Sequence, residues 1–268
     1  MRRRTLRTAA WALALLAIVA VALIATVAVD RIVNAGQVRE LSNDTVPGPA
    51  GPIRVHRALP GGDGPHPGVV MMHEFWGLRS EVTDKADAIA ARGFHVIAPD
   101  TFRGVTVSWL PAAIANVVLS PPERIDADLS AVVDAMIHDP RIDPQRIVVM
   151  GFCYGGRAAL RYALSDDRLA GTAVFYGTPV VEAERLRKLS GPLLGVFGDE
   201  DRQIPTEQVR AFEAALQDAG VPHDVRIYDG VGHAFVSDLA TIRAGGAAGD
   251  AWSAFERWLG DTVGAPAK

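Results

Sequence analysis

One cysteine, one histidine and a group of acids stand in an order and setting that could support acyl transfer. Cys153 is the single cysteine of the chain. It sits in Gly151-Phe152-Cys153-Tyr154-Gly155-Gly156, after the apolar run Arg146–Met150 and before a helical stretch, Arg157 to Leu164. A glycine–x–nucleophile–x–glycine pattern between strand and helix gives a turn so sharp that side chains at the two glycine positions would clash with backbone. The turn holds the nucleophile clear of the sheet, at a helix N-terminus whose partial positive charge favours thiolate over thiol. The N–H of Tyr154 can then face the oxyanion of a tetrahedral intermediate. Downstream come Gly198-Asp199-Glu200-Asp201, ahead of Ile204-Pro205, and the glycine-rich loop Asp229-Gly230-Val231-Gly232-His233. An acid there would orient the imidazole of His233, which takes the proton of the nucleophile. The other six histidines lack this setting.

These residues need elements to bring them together. Short apolar runs alternate with amphipathic stretches. Gly68–Met72, Phe94–Ala98, Arg146–Met150, Gly171–Phe175, Leu193–Phe197 and Val225–Tyr228 read as strands. Val82–Arg92 reads as a helix stopped by Gly93, and Ile125, Leu129, Val132, Val133, Met136 and Ile137 trace one helix face. Val209, Phe212 and Leu216 mark another helix, and Trp252, Phe255, Trp258 and Leu259 the last. Strands separated by single helices imply parallel pairing with both sheet faces covered. In such sheets ligands bind beyond the carboxyl ends of the strands, where the candidate residues fall. Arg103–Pro122 is poor in charge and reads equally as a cap over the site or as an ordinary crossover helix.

Composition narrows the field. The chain has 268 residues, 49% hydrophobic and 22% charged, with a net charge of −4. That suffices for one sizeable core and offers no concentrated basic face, so nucleic acid is not an expected partner. No disulfide can form within a chain holding one cysteine. No histidine–cysteine cluster has metal-ligand spacing and no glycine-rich phosphate loop is present, so no metal and no organic cofactor is expected.

Ala9 to Val29 carries no charge, and its one aliphatic hydroxyl is Thr26. Twenty-one helical residues span about 31 Å, the thickness of a bilayer's hydrocarbon core. Arg2, Arg3, Arg4 and Arg7 precede the run. The positive-inside rule leaves them in the cytoplasm and sends the remainder across the membrane. The rival is a cleaved signal peptide, which would make the protein secreted; the arginine-rich start also resembles a twin-arginine export signal. Residues 1–30 are thus expected as a basic stub and signal anchor, 31–52 as a polar Pro/Gly linker, and 53–268 as the catalytic domain.

The motifs resemble the dienelactone hydrolase family of the α/β-hydrolase superfamily. The resemblance rests on Gly151–Gly156, on His73-Glu74-Phe75-Trp76-Gly77 after the first long strand, and on the acid and histidine loops, which follow in the superfamily's chain order. It covers about Val55 to Leu259. It implies an α/β-hydrolase fold and a Cys153–His233–Asp201 triad. The family pattern favours Asp201 as the acid, with Asp199 and Glu200 as alternatives. It further implies that Glu74 controls the protonation of the thiol and that Phe75 supplies a second oxyanion N–H. By the same resemblance Arg103, in Asp100-Thr101-Phe102-Arg103, grips a substrate carboxylate, and Tyr176 lies near the pocket. Trp76 and Trp109 read equally as pocket wall and as core. Unlike well-studied lactonases of the family, this chain has no arginine in Ala234–Asp238 just after the histidine. The function expected is hydrolysis of a small, preferably anionic, ester or lactone through a cysteine thioester. The alternatives are a thioesterase, peptidase or acyltransferase on the same fold, or a tethered binding protein with a vestigial site.

Overall fold

The computed structural model describes residues 2–264; residue 1 and residues 265–268, the ends of the expected first and last segments, lie outside the described residues. The side chains of 2–10, including those of the basic stub, also lie outside them, as does that of residue 12. Eight strands form one sheet in the order β1-β2-β4-β3-β5-β6-β7-β8. They are β1 (Asp44–Val46), β2 (Ile53–Ala58), β3 (His66–Met72), β4 (His95–Pro99), β5 (Ile142–Phe152), β6 (Gly171–Phe175), β7 (Leu193–Gly198) and β8 (His223–Tyr228). β1 and β2 are antiparallel to their neighbours, and in that order the strands from β4 to β8 run parallel.

Alternation along the strands divides the core. Val69 and Met71 of β3, with Val148, Met150 and Phe152 of β5, face α3 (Ser80–Ala90) and α10 (Gly246–Val263). Val70, Met72, Ile147 and Val149 face α5 (Pro122–Ile137) and α6 (Tyr154–Ala163). Next to α6, α8 (Thr206–Ala219) packs Val209, Phe212 and Leu216 against β7, with the short helices α7 (Ala183–Leu186) and α9 (Leu239–Ala244) before and after it in the chain. Strands buried on both faces are what continuous apolar runs require. The mostly parallel sheet between two helical layers is the expected α/β-hydrolase architecture.

The segment 31–52 differs from its expectation as a linker. The first helix, α1, runs from Arg2 to Val33, and a short α2 covers Gln37–Leu41. β1 then pairs with β2, matching Asp44 to Val55 and Val46 to Ile53. Polar composition hid two apolar anchors: Val38 and Val46 are buried in the core and dock the segment. α1 is long and apolar enough to cross a membrane by length and composition.

Arg103–Pro122 contains α4 (Leu110–Val118), placed ahead of the true crossover helix α5. Its buried Ala112 and Ala113 pack, with Val107, against Val27 of α1 and against Phe75 and Trp76. It is an added element beside the loop that follows β3 rather than the β4–β5 crossover.

Candidate active site

The candidate residues gather beyond the carboxyl ends of the parallel strands. His73 to Trp76 follow β3, Cys153 follows β5, Tyr176 follows β6, Asp201 follows β7 and His233 follows β8.

Cys153 occupies the turn between β5 and α6 with φ 53° and ψ −115°, a positive-φ conformation unusual for a side-chain-bearing residue. Its N–H donates to the Phe175 carbonyl at 2.9 Å. The flanking glycines are needed for space. A Cβ on Gly151 would lie 2.3 Å from the carbonyl of Gly155, and one on Gly155 would lie 2.4 Å from the His73 oxygen.

His233 joins the three groups. Its Nδ1 lies 2.7 Å from Asp201 Oδ2 and its Nε2 lies 3.0 Å from Cys153 Sγ. With the Nδ1 proton donated to the carboxylate, Nε2 is left to accept the thiol proton. Asp201 is buried and is itself fixed by the N–H groups of Gln203 and Ile204, at 2.8 and 3.2 Å. Asp199 instead accepts from the Gly230 N–H at 2.7 Å, which shapes the histidine loop. Tyr176 sets its ring edge against His233, with centroids 5.3 Å apart, and donates its hydroxyl to the Val236 carbonyl at 3.2 Å.

The thiol departs from its expected state. A helix N-terminus should favour thiolate, yet the Cys153 pKa is pushed up to about 12. Burial is the main cause, followed by the nearby charge of Glu74; the Tyr154 N–H pulls the other way and is outweighed. A neutral resting thiol is also poorly reactive toward oxidants.

Glu74 lies near enough to the thiol for its charge to act there, and with Trp76 and Lys85 it lines a cavity of about 260 Å³. Burial raises its pKa, while Lys85 and His233 draw it back down. One carboxyl oxygen, Oε1, is buried without a hydrogen-bond partner. Lys85 is buried on α3, donating to the Ser237 carbonyl at 2.5 Å, with its ammonium 4.4 Å from the Phe152 ring centroid. Desolvation lowers its pKa to about 8. A cation therefore does stand against the loop that lacks the family's extra arginine, supplied from another element. The sequence carried a signal for it: Lys85 shares the apolar face of Val82, Ala86 and Ile89.

Sequence gives His73 only a position at the head of the oxyanion loop, and the structure gives it a physical role. It is fully buried; its Nδ1 meets the Glu74 carbonyl at 2.6 Å, and its Nε2 accepts from the Thr101 N–H and hydroxyl at 3.2 and 2.9 Å. Burial lowers its pKa to about 4, so it stays neutral.

Two expected binding residues lie elsewhere. Arg103 does not reach the cleft. Its guanidinium pairs with the fully buried Asp128 and donates to the Gly51 and Pro52 carbonyls at 2.7 and 2.8 Å. A buried carboxylate needs that partner, and Arg124 adds a second at 3.0 Å. Trp76 packs on Phe75, ring centroids 4.4 Å apart, and lines the cavity shared with Glu74 and Lys85 rather than the one that Cys153 lines. The cleft at Cys153, about 240 Å³, is bounded by Phe75, Val117, Cys153, Tyr154, Tyr176 and His233. Its wall also holds Arg157, one turn along α6 from the thiol, an exposed cation that sequence reading missed. Among the described residues Arg157 has no carboxylate within ion-pair distance. No group of three or more His, Cys, Asp or Glu among the described residues could hold a metal ion.

Comparison with known proteins gives a consistent result. A protein of Methylorubrum extorquens named "Putative carboxymethylenebutenolidase" is 27% identical over 84% of this chain and 80% of its own length. A protein of the same name from Escherichia coli K12 is 28% identical over 74% of this chain and 78% of its own. The crystal structure titled "Putative Dienelactone Hydrolase" from Klebsiella pneumoniae superposes with a TM-score of 0.71 at 26% identity, covering 80% of this chain and 95% of that one. The sequence model of the dienelactone hydrolase family matches residues 53–263, so the chain is a hydrolase belonging to that family.

Proposed function

We propose that the protein hydrolyses a carboxylic ester or lactone through a thioester on Cys153. The observation that carries this reading is the hydrogen-bonded chain from Cys153 Sγ through His233 to Asp201, at 3.0 and 2.7 Å. Sγ attacks the carbonyl carbon while its proton passes to His233 Nε2, so the nucleophile is charged only as substrate arrives. The carbonyl electrons move to oxygen, where the N–H groups of Phe75 and Tyr154 stabilise them. Collapse expels the alkoxide, which takes the proton from His233. Water, deprotonated by the same imidazole, then cleaves the thioester and regenerates the thiol. Asp201 holds the imidazole in the required tautomer. Glu74, whose charge acts on the thiol, opposes early ionisation. In place of Arg103, Arg157 at the cleft wall favours substrates that carry a carboxylate. The α1 helix anchors the chain in a membrane, with the catalytic domain on the extracytoplasmic side.

The test is turnover of a panel of esters and lactones, with and without a carboxylate, by the full chain and by Cys153→Ala. Mass spectrometry of the stopped reaction should show the acyl group on wild type alone. Substantial activity in Cys153→Ala, or acylation at another residue, would overturn the assignment.

A further inference from the structure

The surface beside the cleft carries a continuous apolar face. Leu110, Ile114 and Val118 recur every fourth residue along α4 and are 51%, 53% and 75% exposed. Trp109 and Leu119 extend the face at its two ends, at 44% and 66% exposed. Gly104 to Pro122 contains no charged side chain. An apolar surface of this kind, left in water, calls for a partner.

Its neighbour in the fold indicates which partner. The end of α1 is clamped to the α4 region by polar contacts rather than joined to it by a free tether. The Asp30 carboxylate accepts from the Ser108 N–H at 3.1 Å and from its hydroxyl at 2.8 Å. Arg31 donates to Asn116 Oδ1 at 2.8 Å, and the carbonyl of buried Asn34 accepts from the Thr106 hydroxyl at 3.3 Å. Just before this clamp, the apolar run of α1 stands clear of the domain, with Leu13, Leu16, Val21, Ile24 and Val29 all exposed. Val27 touches the small cluster that holds Ala112 and Ala113 of α4 together with Phe75 and Trp76. Val27 and Asp30 are about 4.5 Å apart along the axis, less than one helical turn. A bilayer that surrounds the apolar run must therefore begin beside α4.

We propose that the Trp109–Leu119 face of α4 lies in the interfacial layer of the bilayer that α1 enters. The catalytic cleft, walled by Val117 of the same helix, then receives esters partitioned into that bilayer. The proposal rests on the reading of α1 as a membrane anchor. Without Lys or Arg in the face, the attraction is apolar, and it needs no anionic lipid.

The experiment uses the full chain reconstituted in phosphatidylcholine vesicles. Alkaline carbonate extraction reports first on the anchor. The difference in emission between wild type and Trp109→Phe isolates Trp109, which is then challenged with lipids brominated near the carbonyl and with aqueous acrylamide. The proposal expects quenching by the bromolipid and protection from acrylamide, unchanged when anionic lipid is omitted. A Leu110→Ser/Ile114→Ser/Val118→Ser variant should lose the lipid quenching and keep turnover of a water-soluble ester. It should lose about tenfold or more on a long-chain ester dissolved in the vesicles, through weaker interfacial contact. A chain that resists extraction while Trp109 stays open to acrylamide and untouched by bromolipid overturns the proposal. So does shielding of Trp109 that depends on protein concentration and yields a cross-linked dimer, since the face would then meet a second copy. Release by carbonate removes the anchor reading and the proposal together. Failure of wild type on every ester would refute the proposed chemistry and the entry of esters from the bilayer, while Trp109 quenching would still decide whether α4 lies on lipid.

Discussion

His73 holds the carbonyl of Glu74 at 2.6 Å, and that bond fixes the direction of the following N–H. In a trans peptide unit the C=O and the next N–H point in opposite directions. Drawing the Glu74 oxygen toward the buried imidazole therefore turns the Phe75 N–H the other way. Thr101 completes the arrangement by donating to Nε2, which puts the imidazole proton on Nδ1. His73→Ala should loosen this peptide, leaving its carbonyl to the longer bond from the Gly77 N–H at 3.2 Å. The expected result is a fall in kcat of about 10- to 100-fold with KM little changed, the pattern of a lost oxyanion donor. His73→Asn, which can still donate from a shorter side chain, should recover part of it. Steady-state kinetics on one ester, with circular dichroism to confirm folding, provide the check.

The high pKa of the thiol predicts slow alkylation. Below pH 9 nearly all Cys153 is protonated, so iodoacetamide should react with the free enzyme far more slowly than with an ordinary thiol. Since the Glu74 charge opposes thiolate, Glu74→Gln should lower the Cys153 pKa. Alkylation at fixed pH should then quicken by about tenfold, the equivalent of one pKa unit. An unchanged rate would mean that burial alone keeps the thiol neutral.

The sequence revealed the parallel sheet and the residues after its strands because both depend on local patterns. Apolar runs such as Ile147–Met150 in β5 are short and continuous, and the glycines around Cys153 encode a turn that few other residues permit. Recognition of the site depended on chain order, which the fold converts into proximity. Charge partners were not legible in this way. Arg103 sat in a motif that suggested substrate binding, but its partner Asp128 is 25 residues away on α5. Lys85 supplies a cation beside the histidine loop from 152 residues away. Nothing local records such pairings. The linker expectation failed for a related reason: composition averages over Val38 and Val46, whereas docking depends on those two side chains.

The two arginines can be separated by experiment. Arg103→Ala removes one partner of a buried carboxylate and should lower stability by about 3 kcal/mol, with KM nearly unchanged. Arg157→Ala leaves no buried charge behind and should leave the melting temperature within about 2 °C of wild type, as for most surface changes. It should raise KM about tenfold for an ester bearing a carboxylate and leave its neutral counterpart unaffected, the loss of one charge-assisted contact. Equal effects on both esters would remove Arg157 from substrate recognition.

A last prediction concerns acid stability away from the site. His95 on β4 is buried, and its Nε2 accepts from Arg57 Nη1 at 3.0 Å. Burial, and then the charge of Arg57, lower its pKa from 6.5 to about 4. The unfolded chain therefore binds this proton at higher pH than the folded one. The stability that neutral His95 contributes is fully present above about pH 6.5 and is lost as pH falls through 6.5 toward 4. His95→Gln can keep an acceptor for Arg57 but cannot titrate. The advantage of wild type over this variant should thus shrink on going from pH 7.5 to 4.5, by at most about 3 kcal/mol from the linkage relation. Urea midpoints for the two proteins at both pH values provide the measurement. A gap independent of pH would show that His95 takes up its proton equally readily in the folded and unfolded chains, and a gap that widens at pH 4.5 would show that Asp139 rather than Arg57 dominates its surroundings.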